Sequence, residues 1–181
     1  MDYKVPQSVS ATRFWPKYEC DSMGENCAFG ESGGPNLPCP HAGCSPPIDS
    51  KFEATFGTTD GLDWYNSSQV DGWTLPYEKT FTCEGDANNS ADLDCSGLTR
   101  STCPTQNIDG AGNVSLTAFN PDHNNQYAGC YSPCALLTYH NWGNQYSQGN
   151  TPSQAPADKY CCAGAFEELV GDHQVRVPGR D

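Results

Sequence analysis

One carboxylate, that of Asp71, lies among aromatic residues at the end of a predicted strand. Residues 64–70 alternate with a period of two, which is typical of a strand, and Asp71-Gly72 interrupts them before an extended run that ends at Pro76. Aromatic faces beside a few polar groups are typical of sugar-binding sites. The aromatic residues around Asp71 are Trp64, Tyr65, Trp73 and Tyr77. Two structural alternatives stay open, because Asp-Gly between apolar runs also predicts a hairpin turn and because Trp73 could fill the core.

The composition indicates one small secreted domain that is stabilised by disulfides. The chain has 181 residues, of which 36% are hydrophobic, and it contains 18 glycines, 14 prolines and 11 cysteines. So little apolar material cannot form a large core, and cysteines at this density are typical of extracellular scaffolds. A zinc site is the alternative, but Cys130-x3-Cys134 and Cys161-Cys162 do not form a recognised ligand set. We therefore expect no metal and no cofactor.

The charge and the hydropathy pattern exclude several classes of partner. The formal net charge of −13 argues against binding to nucleic acid or to anionic membranes. No segment approaches the roughly 20 apolar residues of a membrane span, and residues 1–4 lack the apolar segment of a signal peptide. If the protein is secreted, we expect that its signal was removed or that the sequence begins inside a longer chain.

Three sequons, at Asn66, Asn88 and Asn113, could carry N-linked glycans in a secretory protein. Chance sequons are frequent in a chain rich in asparagine and serine, but together with the cysteines they favour an extracellular glycoprotein. Asn66 lies in the predicted strand that leads to Asp71, so a glycan there would crowd that carboxylate.

The local patterns predict strands and loops with little helix. Residues 51–56 alternate, with Phe52, Ala54 and Phe56 on one face, and another short strand is expected at 80–83. Residues 84–129 are polar and rich in asparagine and aspartate, so we expect loops there, with short strands at most over 114–119. Helical turns are expected near 129–137 and 165–170.

Residues 20–48 consist almost entirely of turn-forming residues and need disulfides to hold them. Neighbouring cysteines close the shortest loops, and a short closed loop contributes on the order of 2–3 kcal/mol. We therefore expect the pairs Cys20–Cys27 and Cys39–Cys44.

An ordered series of motifs resembles the thaumatin-like proteins. The most specific segments are Val70-Asp71-Gly72-Trp73-Thr74-Leu75-Pro76 and Tyr160-Cys161-Cys162. The other members, in chain order, are Arg13-Phe14-Trp15, Cys20, Cys27, Gly33-Gly34, Cys39, Pro46-Pro47, Phe52-Glu53-Ala54-Thr55-Phe56, Cys95, Cys103-Pro104 and Gly129-Cys130-x3-Cys134. The series runs from about residue 11 to residue 164.

The resemblance implies a flattened antiparallel β-sandwich, a second domain of disulfide-rich loops, and an acidic cleft between them. We accordingly predict an all-β fold with a partial sandwich core over residues 1–82, a cysteine-rich loop subdomain over 83–164, and a tail over 165–181. The family's first and last strands have no counterpart in this sequence, so the sandwich is expected to be incomplete without a partner chain or further segments.

The family's cleft residues carry over by motif position to Arg13, Glu53 and Asp71. A glycosidase needs two carboxyl groups across the scissile bond, and the resemblance offers Glu53 as the acid and Asp71 as the base, with Arg13 keeping Asp71 ionised. Asn66 replaces a family aspartate, and the last cleft aspartate has no counterpart, which favours binding over hydrolysis. The expected substrate-binding residues are Arg13, Asn66, Trp64, Tyr65, Trp73 and Tyr77.

The resemblance also implies a disulfide pattern. It pairs Cys20 with Cys27, Cys103 with Cys130, and Cys134 with Cys161, and it leaves Cys44 as a replacement partner for Cys39. Cys83 and Cys95 lack their usual C-terminal partners, so they are expected to pair with each other. Cys162 then remains odd, which suggests a link to another chain or a missing stretch of this one.

Together these expectations describe a secreted, extracellular thaumatin-like protein. It would bind β-glucan or a related surface polysaccharide through the acidic cleft, with weak endo-β-1,3-glucanase activity at most. The alternative is a structural subunit of an extracellular filament or homo-oligomer, completed by strand exchange and locked by Cys162. The expected partners are polysaccharide, N-linked glycans and further copies of the same chain. No nucleic acid partner and no membrane partner is expected.

Overall fold

A computed structural model describes residues 9–30, 48–59, 63–83, 86–147 and 151–161. Short strands dominate: β1 (Thr12–Phe14), β2 (Lys51–Thr55), β3 (Trp64–Ser68), β4 (Gly72–Trp73), β5 (Tyr77–Cys83), β6 (Asp86–Cys95), β7 (Thr105–Ile108), β8 (Gly112–Ser115), β9 (Thr117–Asn120) and β10 (Gln126–Tyr131). The helices are α1 (Pro133–Thr138) and four 3₁₀ turns at Arg100–Thr102, Pro121–His123, Asn141–Gly143 and Ala157–Lys159. No helix in the described ranges is long and apolar enough to cross a membrane.

The strands of the described ranges form two three-stranded sheets and two hairpins, all with antiparallel pairing. One sheet has the order β1-β2-β3, the other has the order β4-β10-β9, and the hairpins are β5-β6 and β7-β8. The predicted all-β, disulfide-rich fold is confirmed. The predicted strand at 51–56 corresponds to β2, and the expected helical turn near 129–137 corresponds to α1.

An aromatic cluster joins the β1-β2-β3 sheet to β5. The ring of Phe52 lies 5.8 Å from Phe14 and 5.5 Å from Phe81, measured between centroids, and Phe81 stacks on Tyr65 at 3.7 Å. Because side chains alternate along a strand, this packing of Phe52 turns its neighbour Glu53 to the opposite face of the sheet. The apolar face of the sheet thereby determines where the polar candidates lie.

Apart from Ile48, the main hydrophobic core is built from residues 108–161. Its buried members are Ile48, Ile108, Val114, Leu116, Ala118, Cys130, Tyr131, Ala135, Leu136, Leu137, Ala157 and Cys161. Two disulfides, Cys103–Cys130 and Cys134–Cys161, reach this core, and each joins residues 27 apart. On the chain-entropy account a loop of this length contributes roughly 3–4 kcal/mol, which supplements a small core.

The expectation of loops over residues 84–129 is wrong, because this segment contains strands β6 to β10. β6 is ten residues long and pairs with β5 along its length, although residues 92–94 are exposed. A ladder of backbone hydrogen bonds needs no apolar side chains, so a polar sequence does not prevent pairing. The division of the chain at residue 82 stays a prediction, although β4 and β10 pair across it.

The structure contains three of the implied disulfides, Cys20–Cys27, Cys103–Cys130 and Cys134–Cys161. The expected bond between Cys83 and Cys95 does not form, and Cys95 is a free thiol. Register explains this correction, because Cys83 lies opposite Asp86 while Cys95 lies opposite Tyr77, at the other end of the hairpin. Cys39, Cys44, Cys162 and residues 165–181 lie outside the described residues.

The hairpin expected at Asp71-Gly72 is also wrong. β3 pairs with β2, whereas β4 pairs with β10, so these two residues connect one sheet to the other. Gly72 has a φ of +115°, and a Cβ atom there would lie 1.9 Å from the carbonyl oxygen of Cys130. Only glycine fits this close approach.

Replacing Gly72 with alanine should lower the free energy of unfolding by at least about 2 kcal/mol, because it combines a strained φ with a backbone collision. Urea denaturation followed by tryptophan fluorescence measures the loss. Gly97→Ala is the matched control, since a Cβ atom at Gly97 meets nothing within 4 Å, and it should change stability by less than about 0.5 kcal/mol. Equal losses in the two variants would contradict the proposed constraint.

Candidate functional site

Strand register places Arg13, Glu53 and Asn66 side by side. Arg13 on β1 lies opposite Glu53 on β2, and Glu53 lies opposite Asn66 on β3. Directly opposite residues have Cβ atoms roughly 4.5–5.5 Å apart, so their side chains can contact one ligand together. Three residues that are distant in sequence therefore form one polar row across the sheet.

A pocket of about 260 Å³ lies over this polar row. Its lining consists of Ala11, Thr12, Arg13, Glu53, Ala54, Thr55, Trp64, Tyr65 and Asn66. Sites for small molecules usually measure roughly 300–1,000 Å³, so this pocket suits a single ring-sized group. The lining contains one carboxylate and one guanidinium, so their formal charges balance.

The guanidinium of Arg13 and the carboxylate of Glu53 are held loosely. Arg13 Nε lies 3.4 Å from Glu53 Oε1, and the two side chains are 54% and 30% exposed. An ion pair this exposed contributes at most about 1 kcal/mol. The two groups can therefore separate and form hydrogen bonds with the hydroxyls of a ligand at little energetic cost.

Asp71, the other expected catalytic carboxylate, is a buried structural residue. It is only 5% exposed, and its carboxylate forms an ion pair with Lys51 and accepts a hydrogen bond from the hydroxyl of Tyr139. Arg13, which the resemblance assigned to Asp71, instead contacts Glu53. With both partners in place, the Asp71 carboxylate is not available to activate a water molecule.

Sequence reasoning missed both partners of Asp71. Lys51 is 4% exposed, which is rare for a lysine without a partner. Burial lowers the pKa of Lys51, and the nearby Arg13 lowers it further, while the carboxylates of Asp49 and Glu53 raise it. Burial also raises the pKa of Tyr139, so its hydroxyl remains a donor to Asp71. The one available signal was a lysine two residues before Glu53, on the same face of β2.

The four aromatic candidates separate into different environments. Trp64 lines the pocket over the polar row. The ring of Tyr65 stacks on Phe81 in the aromatic cluster, and Trp73 packs against the main core with its indole N–H buried. Tyr77 lies under the ammonium group of Lys79, 4.5 Å from ring centroid to Nζ. Trp64 is therefore the aromatic candidate best placed to stack on a ligand in this pocket.

The sequons also differ in their surroundings. Asn66 is part of the pocket lining, whereas Asn113 on β8 is exposed. Asn88 belongs to β6. A glycan on Asn66 would occupy the same space as a ligand over the polar row, and one on Asn113 would project into solvent.

Comparison with known sequences shows which proteins this chain is similar to. The model of the thaumatin family matches residues 1–173. The chain belongs to the thaumatin family. It is 30% identical over 163 residues to thaumatin-like protein 1 of Pyrus pyrifolia, an alignment that covers 88% of this chain and 54% of the relative.

Two further relatives show the same level of similarity over shorter alignments. Thaumatin-like protein 1b of Malus domestica is 31% identical over 111 residues, which cover 57% of this chain and 51% of the relative. A PR5-like receptor kinase of Arabidopsis thaliana is 30% identical over 105 residues, which cover 56% of this chain and 16% of the relative. The chain thus spans about half the length of the thaumatin-like proteins it matches.

The structural role of Asp71 predicts a specific pattern of stabilities. Asp71→Asn should lower the free energy of unfolding by about 3–5 kcal/mol, because it leaves the buried Lys51 ammonium without its partner. Adding Lys51→Met should recover most of that loss, since the double variant buries no charge at this position. Urea denaturation of the single and double variants measures the coupling.

The control for this double-mutant cycle is the exposed ion pair between Lys159 and Asp109, whose side chains are 62% and 51% exposed. Asp109→Asn should cost less than about 1 kcal/mol. Strictly additive effects of the Lys51 and Asp71 changes would contradict a direct buried pair.

Proposed function

We propose that this member of the thaumatin family is a secreted protein that binds β-glucan or a related surface polysaccharide over its polar row. The observation that carries the proposal is the alignment of Arg13, Glu53 and Asn66 in one pocket beside Trp64. The guanidinium donates hydrogen bonds, the carboxylate accepts them, and the amide can do both. The indole ring supplies the apolar face that sugar rings require.

The same geometry favours binding without efficient hydrolysis. Glycoside cleavage needs two carboxyl groups, which lie about 5–9.5 Å apart on either side of the scissile bond. Glu53 lines the pocket, but Asp71 is buried in its pair with Lys51. We therefore propose that Glu53 positions a sugar hydroxyl and that the protein holds the polymer intact.

Binding to laminarin tests this proposal. Trp64→Ala should weaken binding by about tenfold, which corresponds to roughly 1.4 kcal/mol, because it removes the stacking surface. Glu53→Gln should weaken it less, since the amide still accepts one hydrogen bond. Affinity electrophoresis in laminarin-containing gels, with the native protein beside the variants, measures both effects.

Lys159→Gln provides the control, because Lys159 lies at the surface in its pair with Asp109 and not in the pocket lining. It should retain native affinity. Reducing sugar should not accumulate during the incubation. Absence of laminarin binding by the native protein, or unchanged binding by Trp64→Ala, would refute the site.

A second candidate is the assembly subunit, and the edges of the first sheet favour it. In the described residues β1 and β3 are the outer strands of that sheet, so each presents one side without a hydrogen-bonded neighbour strand. Such edges can accept a strand from another chain. In an oxidising environment the free thiol of Cys95 could then form a disulfide with a cysteine of a neighbouring chain.

The assembly proposal predicts sedimentation as an oligomer at micromolar concentration, with dissociation of any disulfide-linked fraction under reducing conditions. Sedimentation velocity with and without reductant, compared with Cys95→Ser, makes the measurement. A monomer under all of these conditions would exclude it and leave laminarin binding unaffected.

A further inference from the structure

A larger groove shares Arg13 with the pocket over the polar row. It has a volume of about 650 Å³, in the middle of the range that small-molecule sites occupy. Four aromatic side chains, Phe14, Trp15, Phe52 and Tyr77, contribute to its lining. We call this cavity the aromatic groove.

The charge of the aromatic groove is opposite to that of the protein. The chain has 22 acidic residues and 9 lysines and arginines, yet the lining of this groove includes Arg13, Lys17 and Lys79 and no carboxylate. Arg13 already contacts Glu53, whereas the ion pairs in the described part of the chain give neither Lys17 nor Lys79 an acidic partner. Among the described residues, these two ammonium groups thus line an apolar cavity without a carboxylate partner.

Lys79 is partly desolvated by two aromatic rings of the groove. Its Nζ lies 4.8 Å from the ring centroid of Phe52 and 4.5 Å from that of Tyr77. It donates hydrogen bonds to the hydroxyl of Ser67 at 2.6 Å and to the carbonyl of Lys51 at 3.2 Å, which leaves the third N–H for a ligand. Burial lowers the pKa of Lys79 to about 8, against an opposing influence of the Cys95 thiol on β6. An anion beside this ammonium would offset the cost of burying it.

Lys17 provides a second contact point at the groove. Its Nζ donates to the carbonyl oxygen of Gly24 at 2.8 Å, so the ammonium is held in place while two of its N–H groups are available. Both Lys17 and Lys79 are partly buried, and a charge-assisted hydrogen bond to either would be stronger than one between neutral groups.

We infer that the aromatic groove binds a small aromatic carboxylate, with its ring between the aromatic side chains and its carboxylate at Lys17 and Lys79. The apolar lining favours an apolar body, and two ammonium groups that have no carboxylate partner among the described residues favour a negative charge. The ligand carries a single charge and is small, because a net charge of −13 repels a long polyanion but adds little cost to one carboxylate at a cationic site.

Isothermal titration with 2-naphthoate and with its neutral analogue 2-naphthamide tests the inference. The two probes have the same ring system, so the ratio of their affinities isolates the carboxylate. Naphthoate should bind at least tenfold more tightly at pH 7. Lys79→Gln should reduce this ratio to less than threefold, Lys17→Gln should reduce it by a smaller factor, and Lys159→Gln should leave it unchanged.

A measurement on the unaltered protein guards against loss of folding in the variants. Lys79 should be acylated by acetic anhydride with a rate that rises through a midpoint near pH 8, whereas Asp109 raises the pKa of Lys159 and delays its acylation to higher pH. Saturating naphthoate should slow acylation at Lys79 at least fivefold and leave Lys159 unaffected. Peptide mass spectrometry reports both sites in one sample.

Three results would overturn the inference. Equal affinity for naphthoate and naphthamide would show that the ammonium groups do not recognise the ligand. Binding of polygalacturonate without binding of naphthoate would assign the groove to an acidic polymer. Absence of binding by all three probes would mean that the groove is closed in solution by the chain or by a second copy.

Discussion

The buried ion pair between Lys51 and Asp71 is the interaction on which the relation between the sheets depends. Lys51 begins β2, and Asp71 is the link between β3 and β4, so the pair fixes the point where the chain leaves one sheet for the other. Ser132 reinforces this point, because its N–H donates to the carbonyl of Asp71 while its hydroxyl accepts from Ala135 N and caps α1. One carboxylate residue thereby connects two sheets and a helix, and its burial is acceptable because the charge is paired and hydrogen-bonded.

This arrangement gives Asp71 and Glu53 different roles. Asp71 stabilises the link between sheets, and Glu53, two residues after Lys51 on the same face of β2, remains at the surface. The buried pair between Lys51 and Asp71 holds this part of β2 in place, while the exposed pair between Arg13 and Glu53 can still change partners. Such a division suits recognition of hydroxyl-rich ligands more than proton transfer, which would require the buried carboxylate to exchange its partners during each turnover.

The sequence predicted what depends on local pattern or on motif position. β2 belongs to this part, as does the pairing of Cys20 with Cys27. Motif position put Arg13 and Glu53 in one set of cleft residues, but it gave Arg13 to Asp71 and not to Glu53. The sequence did not predict the core, because β7, β8 and β9 each contribute only one or two buried residues, although β10 contributes four. It also assigned the wrong environment to Asp71, since one of its two partners, Tyr139, lies 68 positions away and carries no local signal. β6 was missed for a related reason, because its backbone pairing with β5 leaves no hydrophobic pattern.

The position of Asn66 determines how glycosylation would affect the fraction of molecules that can bind a ligand. Its sequon lies inside the pocket lining, whereas that of Asn113 faces solvent. A molecule glycosylated at Asn66 would have its pocket filled by its own glycan, and an unmodified molecule would have an open one. Incomplete glycosylation would then change the fraction of molecules able to bind while leaving the dissociation constant of each competent molecule unaltered. Saturation stoichiometry, and not affinity, would therefore report the fraction of molecules that carry a glycan at Asn66.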